Sequence, residues 1–279
     1  MTDQPLLEVE GLDVTYPSRG GSVRAAREVS FTLGRERLAI VGESGSGKST
    51  TGRAILGLIP QPGVVRAQRL VFDGIDLGAL SEAGWSRLRG RRIAMVMQDP
   101  KFALNPVLRV GSQIMQTYRL HWRASRREAE RRALEMLEAV RIRDPETVFH
   151  LYPHQLSGGM GQRVMIAMML VGEPDLLIAD EPTSALDVTV QNQVLRVLDD
   201  LVAARRMGLI FITHNLTLVS SFCDRALVMY AGRVVEQCDA RRLSEARHPY
   251  TQALLAAAPD LDHPRAVLRT VARDPSWAT

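Results

Sequence analysis

The chain has 279 residues, 46% of them apolar and 24% charged. That is enough apolar material for a sizeable core and too much for a disordered or collagen-like chain. The formal net charge is only +4, which does not by itself point to nucleic acid, but of 35 basic residues only Lys48 and Lys101 are lysine. The two cysteines, Cys223 and Cys238, form no spaced cluster. Neither a disulfide framework nor a zinc site is expected, and a reducing cytosol is the easier setting. Residues 1–14 carry Asp3, Glu8, Glu10 and Asp13 without an apolar stretch, so no secretory signal is expected. No apolar run approaches the ~18 to 20 residues needed to span a bilayer; the run 164–171 is stopped by Gly172, Glu173 and Pro174. A membrane role would therefore pass through a partner.

In chain order, four apolar runs predict buried strands: 38–41, 93–97, 176–179 and 209–212. Each is continuous rather than alternating, as parallel strands covered on both faces are. Each also runs into residues with chemical potential: Gly42, Gln98, the pair Asp180 and Glu181, and Thr213 with His214. Open α/β sheets bind ligands at the carboxyl ends of their strands, so one site is expected there. Between Pro100 and Pro153 the pattern turns helical. Ser125 and Glu128 have capping-box spacing, and Ala129, Ala133, Leu134, Met136, Leu137 and Val140 follow at helical spacing. The charges of 126–132 interleave acids with arginines and read as a solvated helix face rather than a nucleic-acid patch. A further helix is expected over 186–204.

Gly42-Glu43-Ser44-Gly45-Ser46-Gly47-Lys48-Ser49-Thr50 matches the phosphate-loop pattern G-x-x-x-x-G-K-[ST]. Its glycines let backbone N–H groups turn toward phosphate oxygens, and the helix expected over 51–58 points its positive end at the same place. Lys48 would reach the outer phosphates and Ser49 would ligate Mg²⁺. Asp180 can hold Mg²⁺, and Glu181 is placed to orient or deprotonate an attacking water. Alone, such an acidic pair would read as a solvated turn; beside a phosphate loop it favours hydrolysis over mere binding.

Leu156-Ser157-Gly158-Gly159-Met160, with Gln162 and Arg163, resembles the signature motif of ABC ATPases and lies ahead of Asp180 at that family's spacing. The resemblance implies an α/β P-loop NTPase core with a mainly parallel sheet, an N-terminal antiparallel β subdomain and a helical insert. The corresponding segments are a first part of the core over 5–98 and a helical subdomain over 99–160. A second part of the core follows over 161–240, and a C-terminal extension over 241–279. It further implies that Ser157, Gly158 and Gly159 close on the γ-phosphate of ATP held by an opposite subunit, in a head-to-tail pair. Gln98 matches the Q-loop glutamine, which contacts Mg²⁺ or the water. Ser184-Ala185-Leu186-Asp187 matches the D-loop, His214 the switch histidine at the γ-phosphate, and Tyr16 the aromatic that stacks on adenine. Glu181 is then the general base.

The similarity narrows to the peptide and nickel importer branch. Met97-Gln98-Asp99-Pro100 with Ala103-Leu104-Asn105-Pro106 carries it, as does Tyr152-Pro153-His154-Gln155 before the signature. So does His248-Pro249-Tyr250-Thr251 followed by Leu254, Leu255 and Pro259. In this branch two ATPase subunits pair beneath two membrane-spanning permease subunits, on the cytoplasmic face of the membrane. A separate binding protein delivers a peptide, nickel or a metal chelate. Gly161 stands where the branch carries a large polar residue, and Cys238 where the family has Gly. Without the cysteine-rich tail of many peptide-importer ATPases, the expectation moves toward nickel or metallophore cargo, with peptides open. The alternatives are a soluble ABC ATPase acting on ribosomes or nucleic acid, against which stand the single phosphate loop and the short insert, and the ATPase subunit of an importer for another cargo.

Overall fold

The computed structural model describes residues 4–18, 20–257 and 274–278. The chain forms two compact units, Met1–Leu80 with Ile210–Thr279, and Ser81–Leu209. Pro259, part of the C-terminal sequence pattern, lies outside the described residues.

The first unit opens with β1 (Leu7–Ser18) and β2 (Gly21–Leu33), an antiparallel pair in register from Leu7 opposite Leu33 to Ser18 opposite Gly21. Leu7 and Val9 are buried, then Leu12 and Val14. A register shift between Val9 and Leu12 inserts one residue, so the apolar face resumes after a skip. Next come β3 (Arg37–Val41), α1 (Lys48–Ile55), β4 (Val64–Arg66), β5 (Arg69–Phe72) and β6 (Ile75–Asp76). One sheet has the order β2-β1-β5-β6, with β4 also on β1, and its pairs are antiparallel. It is the N-terminal antiparallel sheet that the resemblance implied. The helix expected over 51–58 ends sooner, at Ile55. Gly57 takes a left-handed turn there and its N–H bonds back to the Ala54 carbonyl.

The second unit begins with α2 (Glu82–Leu88), capped by Ser81, and β7 (Ile93–Val96). Met97, expected in that strand, lies beyond it and is exposed, because the chain turns there into α3 (Pro100–Ala103), capped by Asp99. The insert continues with α4 (Val110–His121), α5 (Arg126–Ala139) and α6 (Pro145–His150). Ser125 caps α5 as expected, its Oγ accepting from Glu128 N–H at 3.2 Å, while the Glu128 carboxylate accepts from the Tyr118 phenol. On the charged face of α5, Arg131 and Arg132 pair with Glu135, and Arg132 also pairs with Glu173 beyond α7.

Then α7 (Gly158–Leu170) is buried nearly all round, from Gly159 to Leu170. A helix apolar on every side belongs inside a core. It leads to β8 (Leu176–Asp180), wholly buried and parallel to β7, and to α8 (Val188–Arg205), which starts after its cap Asp187. The unit boundary falls within β9 (Gly208–Thr213).

The first unit resumes with α9 (Leu216–Phe222), β10 (Arg225–Tyr230), β11 (Arg233–Asp239) and α10 (Pro249–Ala257). β3 pairs parallel with β10, and β10 antiparallel with β11. Leu38 to Val41 have no exposure at all, as a continuous apolar run in a covered parallel strand requires. Cys223 and Cys238 are both free.

Candidate active site

In the first unit, residues 42–47 form the loop from β3 into α1, and residues 48–50 are the helix's first turn. Gly42 has φ 149° and Gly47 φ 101°. A Cβ at Gly42 would stand 2.2 Å from the Met229 carbonyl oxygen, and one at Gly47 2.3 Å from that of Ala25. Both the conformation and the space demand glycine. Lys48 is 5% exposed, and its Nζ donates to the Gly42 and Glu43 carbonyls at 2.8 and 2.7 Å. Ser46 N–H donates to the Glu43 carbonyl, and the Ser46 carbonyl accepts from Gly232 N–H. The loop is thus fixed by its own chain. Ser46 Oγ is buried without a hydrogen-bond partner, while Ser44 and Gly45 are exposed and Ser49 and Thr50 half-buried. A glycine-built cradle, an enclosed ammonium and an orphaned hydroxyl at a helix N-terminus fit a phosphate group.

The same unit carries His214 and Tyr16. His214 is exposed between Thr213 and Asn215. Asn215 N–H donates to Thr213 Oγ1, and the Asn215 side chain caps α9 by accepting from the N–H groups of Thr217 and Leu218. Tyr16 lies half-buried on β1, its ring so close to Gly63 that a Cβ there would come 2.7 Å from Tyr16 Cε1.

The other predicted groups belong to the second unit. Gln98 is exposed just after β7. Asp180, 6% exposed, ends β8. Glu181 follows at φ 46°, a left-handed conformation that costs a non-glycine residue of order 1 kcal/mol or more and recurs at functional sites. Its carbonyl accepts from both N–H and Oγ of Ser184, so the turn is held from within.

Ser157 and Gly158 are exposed at the start of α7, with Ser157 Oγ accepting from Met160 N–H at 3.4 Å. This turn and the segment 184–187 are brought together. A Cβ at Gly158 would stand 3.7 Å from Leu186 Cδ2, and one at Gly159 only 2.4 Å from Val190 Cγ1. Asp187 caps α8, accepting from Val190 N–H at 3.0 Å. Gly161 faces Pro100 of α3, with ordinary van der Waals room for a Cβ. Gln162 is buried, and Arg163 Nε donates to the Gly159 carbonyl at 3.2 Å.

Two features were not legible as site features. Tyr250 belongs to a recognised sequence pattern, yet only the fold shows its phenol accepting a hydrogen bond from the phosphate loop, from Glu43 N–H at 2.9 Å. The left-handed backbone of Glu181 has no sequence signal at all. Cys238, read as a small-residue exchange, has its thiol pKa raised by burial and by the neighbouring Glu236 and Asp239, which disfavours the reactive thiolate.

A glycine-built phosphate loop with an enclosed lysine defines a P-loop nucleotide-binding protein. A family profile described as ABC transporter matches residues 26–184. The chain is 48% identical over 260 residues to the oligopeptide transport ATP-binding protein OppD of Bacillus subtilis, covering 92% of this chain and 73% of that one. It is 48% identical over 257 residues to the dipeptide transport ATP-binding protein DppD of Escherichia coli, covering 91% and 79%. Among solved structures, the dimeric post-hydrolysis state of the ATP-binding cassette MJ0796, bound to ADP and Pi, superposes with a TM-score of 0.74. It is 28% identical and covers 84% of this chain and 99% of that one. The chain belongs to the ABC transporter family, and it is the ATP-hydrolysing component of such a transporter. No helix among the described residues is long and apolar enough to cross a membrane.

Proposed function

We propose that this chain is the ATPase subunit of a peptide importer, and that ATP binds with its phosphates on residues 42–50. The observation that carries the nucleotide reading is the enclosed Lys48 ammonium inside a loop whose Gly42 and Gly47 admit no side chain. Tyr16 stacks on adenine. Lys48 and the loop N–H groups hold the outer phosphates, with His214 at the γ-phosphate. Ser49, Gln98 and Asp180 are the residues to hold Mg²⁺. When bound, Mg²⁺ neutralises charge on the β- and γ-phosphates. Glu181 orients and deprotonates the attacking water. A carboxylate held on a constrained backbone is positioned in advance of the reaction, which supports that role.

Ser157, Gly158, Gly159 and Asp187 face the nucleotide of a second ATPase subunit, identical or paralogous, in a head-to-tail dimer. The exposure of Ser157 and Gly158 at the start of α7 and of Asp187 ahead of α8 supports this reading. The surface around 98–107, where Phe102 and Val107 are 82% and 75% exposed, receives the coupling helices of two permease subunits. The subunit thereby sits at the cytoplasmic face of the membrane, and a substrate-binding protein supplies the cargo through the permease. The oligopeptide and dipeptide names of the relatives favour peptide cargo over nickel or a metal chelate.

The test is Glu181→Gln, assembled with a partner whose own site is inactive. It should still bind ATP, while hydrolysis falls by about 10² to 10⁴, the usual worth of a general base. Wild-type turnover in that assembly would remove Glu181 from the mechanism. Co-purification with ribosomes or nucleic acid instead of membrane proteins would overturn the transport reading.

A further inference from the structure

Within the first unit, the C-terminal helix reaches the phosphate loop. Tyr250 stands in the first turn of α10 with no exposure. Its phenolic oxygen accepts from Glu43 N–H at 2.9 Å. The other polar atom of the same peptide unit, the Gly42 carbonyl oxygen, accepts from Lys48 Nζ at 2.8 Å. One peptide plane is therefore held from both sides, by the lysine inside the loop and by a tyrosine far along the chain. The hydroxyl is the only part of the Tyr250 side chain that can do this; the ring serves packing. It lies 4.5 Å from the Tyr230 ring and 5.7 Å from that of Trp277, centroid to centroid.

The tyrosine is itself anchored. Glu236 on β11 accepts from the backbone N–H groups of Arg247 and His248 at 2.7 and 3.3 Å, just ahead of α10. Burial pushes the Glu236 carboxyl up, but the Thr251 hydroxyl, and after it these backbone hydrogen bonds, bring it below its ordinary value. A carboxylate at a helix N-terminus is stabilised by the helix dipole. His248 Nδ1 in turn accepts from Tyr250 N–H at 3.2 Å. Beyond the hydrogen bond, residues 43–46 and the pair Tyr230 and Tyr250 line one cleft.

We propose that Tyr250 is a positioning residue of the nucleotide site, its hydroxyl fixing the Gly42–Glu43 peptide so that the loop and Lys48 are set before phosphate arrives. This rests on the ATP-site reading above. Removing the hydroxyl leaves Glu43 N–H without its acceptor, so part of the binding free energy goes into ordering the loop. Glu181 and His214 are untouched, so the deficit belongs to binding and not to the chemical step.

The experiment titrates ATP into the full chain and into Tyr250→Phe, and compares KM and kcat in the assembled transporter. The Kd and KM for ATP should rise about 3- to 10-fold, the worth of one neutral hydrogen bond, with kcat within about 2-fold. A second route removes the donor: in a Glu43→Pro background, Tyr250→Phe should add nothing further. Wild-type protein that fails to bind ATP overturns the site reading itself. Wild-type binding with an equal Kd in Tyr250→Phe overturns the role of Tyr250 alone. So does a lowered melting temperature at unchanged Kd, or a full additional loss in the Glu43→Pro background.

Discussion

Two glycine-rich turns open helices in this molecule, and they are finished to different degrees. The phosphate loop is closed on its own chain. Lys48 is enclosed with two carbonyl partners, the Ser46 carbonyl is taken by Gly232, and Glu43 N–H by Tyr250. The turn at 157–159 is open. Ser157 and Gly158 are exposed, and the one side-chain cap is a 3.4 Å contact from Met160 N–H to Ser157 Oγ. Its tight packing lies on the far side, where Gly159 meets Val190. Both turns open helices, and a helix N-terminus favours anions. The first has the rigidity to bind a ligand within one chain. The second leaves Ser157 and Gly158 exposed, and under the proposed function they face the nucleotide of a second subunit.

Separating the two turns by mutation tests that contrast. Lys48→Ala removes a charged donor from the closed site. ATP affinity of the isolated chain should fall on the order of 10²-fold, since hydrogen bonds to charged groups carry more than neutral ones. Isothermal titration checks it, and a loss below 10-fold would mean that the backbone alone binds the nucleotide. Gly158→Asp puts a carboxylate at an exposed position where its Cβ meets Leu186 only at ordinary van der Waals distance. ATP affinity of the isolated chain and its melting temperature should stay near wild type. Hydrolysis by the assembled pair should fall on the order of 10²-fold, because like charges would meet across the closed dimer. A comparable loss of ATP affinity in the isolated chain would show that the open turn serves its own nucleotide and not a neighbour's.

The closed site was legible in sequence because its chemistry is local. Gly42, Gly47 and Lys48 sit at fixed offsets, and each offset has a backbone reason. The arginine bias sharpens this: Lys48 persists because a compact ammonium reaches two carbonyls inside a loop too tight for a planar guanidinium. The covered strands were equally plain, since apolar continuity over 38–41 and 176–179 reports burial directly. What long-range packing decides was hidden. Tyr250 and Glu43 are 207 residues apart, and nothing local to either announces the bond. Val190 under Gly159, and the left-handed Glu181, likewise depend on how segments meet. The end of β7 at Val96 and of α1 at Ile55 were misjudged by a few residues, because apolar character continues past the point where a cap or a glycine stops the element.

The smallest expected effect concerns the far end of the helix that carries the open turn. After α7, Gly172 packs against Gly90 and the ring of His121, and a Cβ at Gly90 would stand 2.4 Å from His121 Nε2. Burial, and then the charge of Arg91, hold the His121 imidazole below its ordinary value near 6.5. The sign follows from which state protonates first. Above pH 6.5 the ring is neutral folded and unfolded, and contributes no slope. Below it the unfolded chain takes the proton first, so stability falls with pH until the folded ring also titrates. The melting temperature of the nucleotide-free chain should therefore decline from pH 6.5 toward 5, and His121→Gln should flatten part of that decline. Its ATP affinity at pH 7.5 should remain within about 2-fold of wild type, because the phosphate loop belongs to the other unit. An equal slope in His121→Gln would show that the imidazole is no weaker a base in the folded chain. A loss of ATP affinity would show instead that the closed site depends on the packing beneath the open one, and the contrast between the two turns would fail.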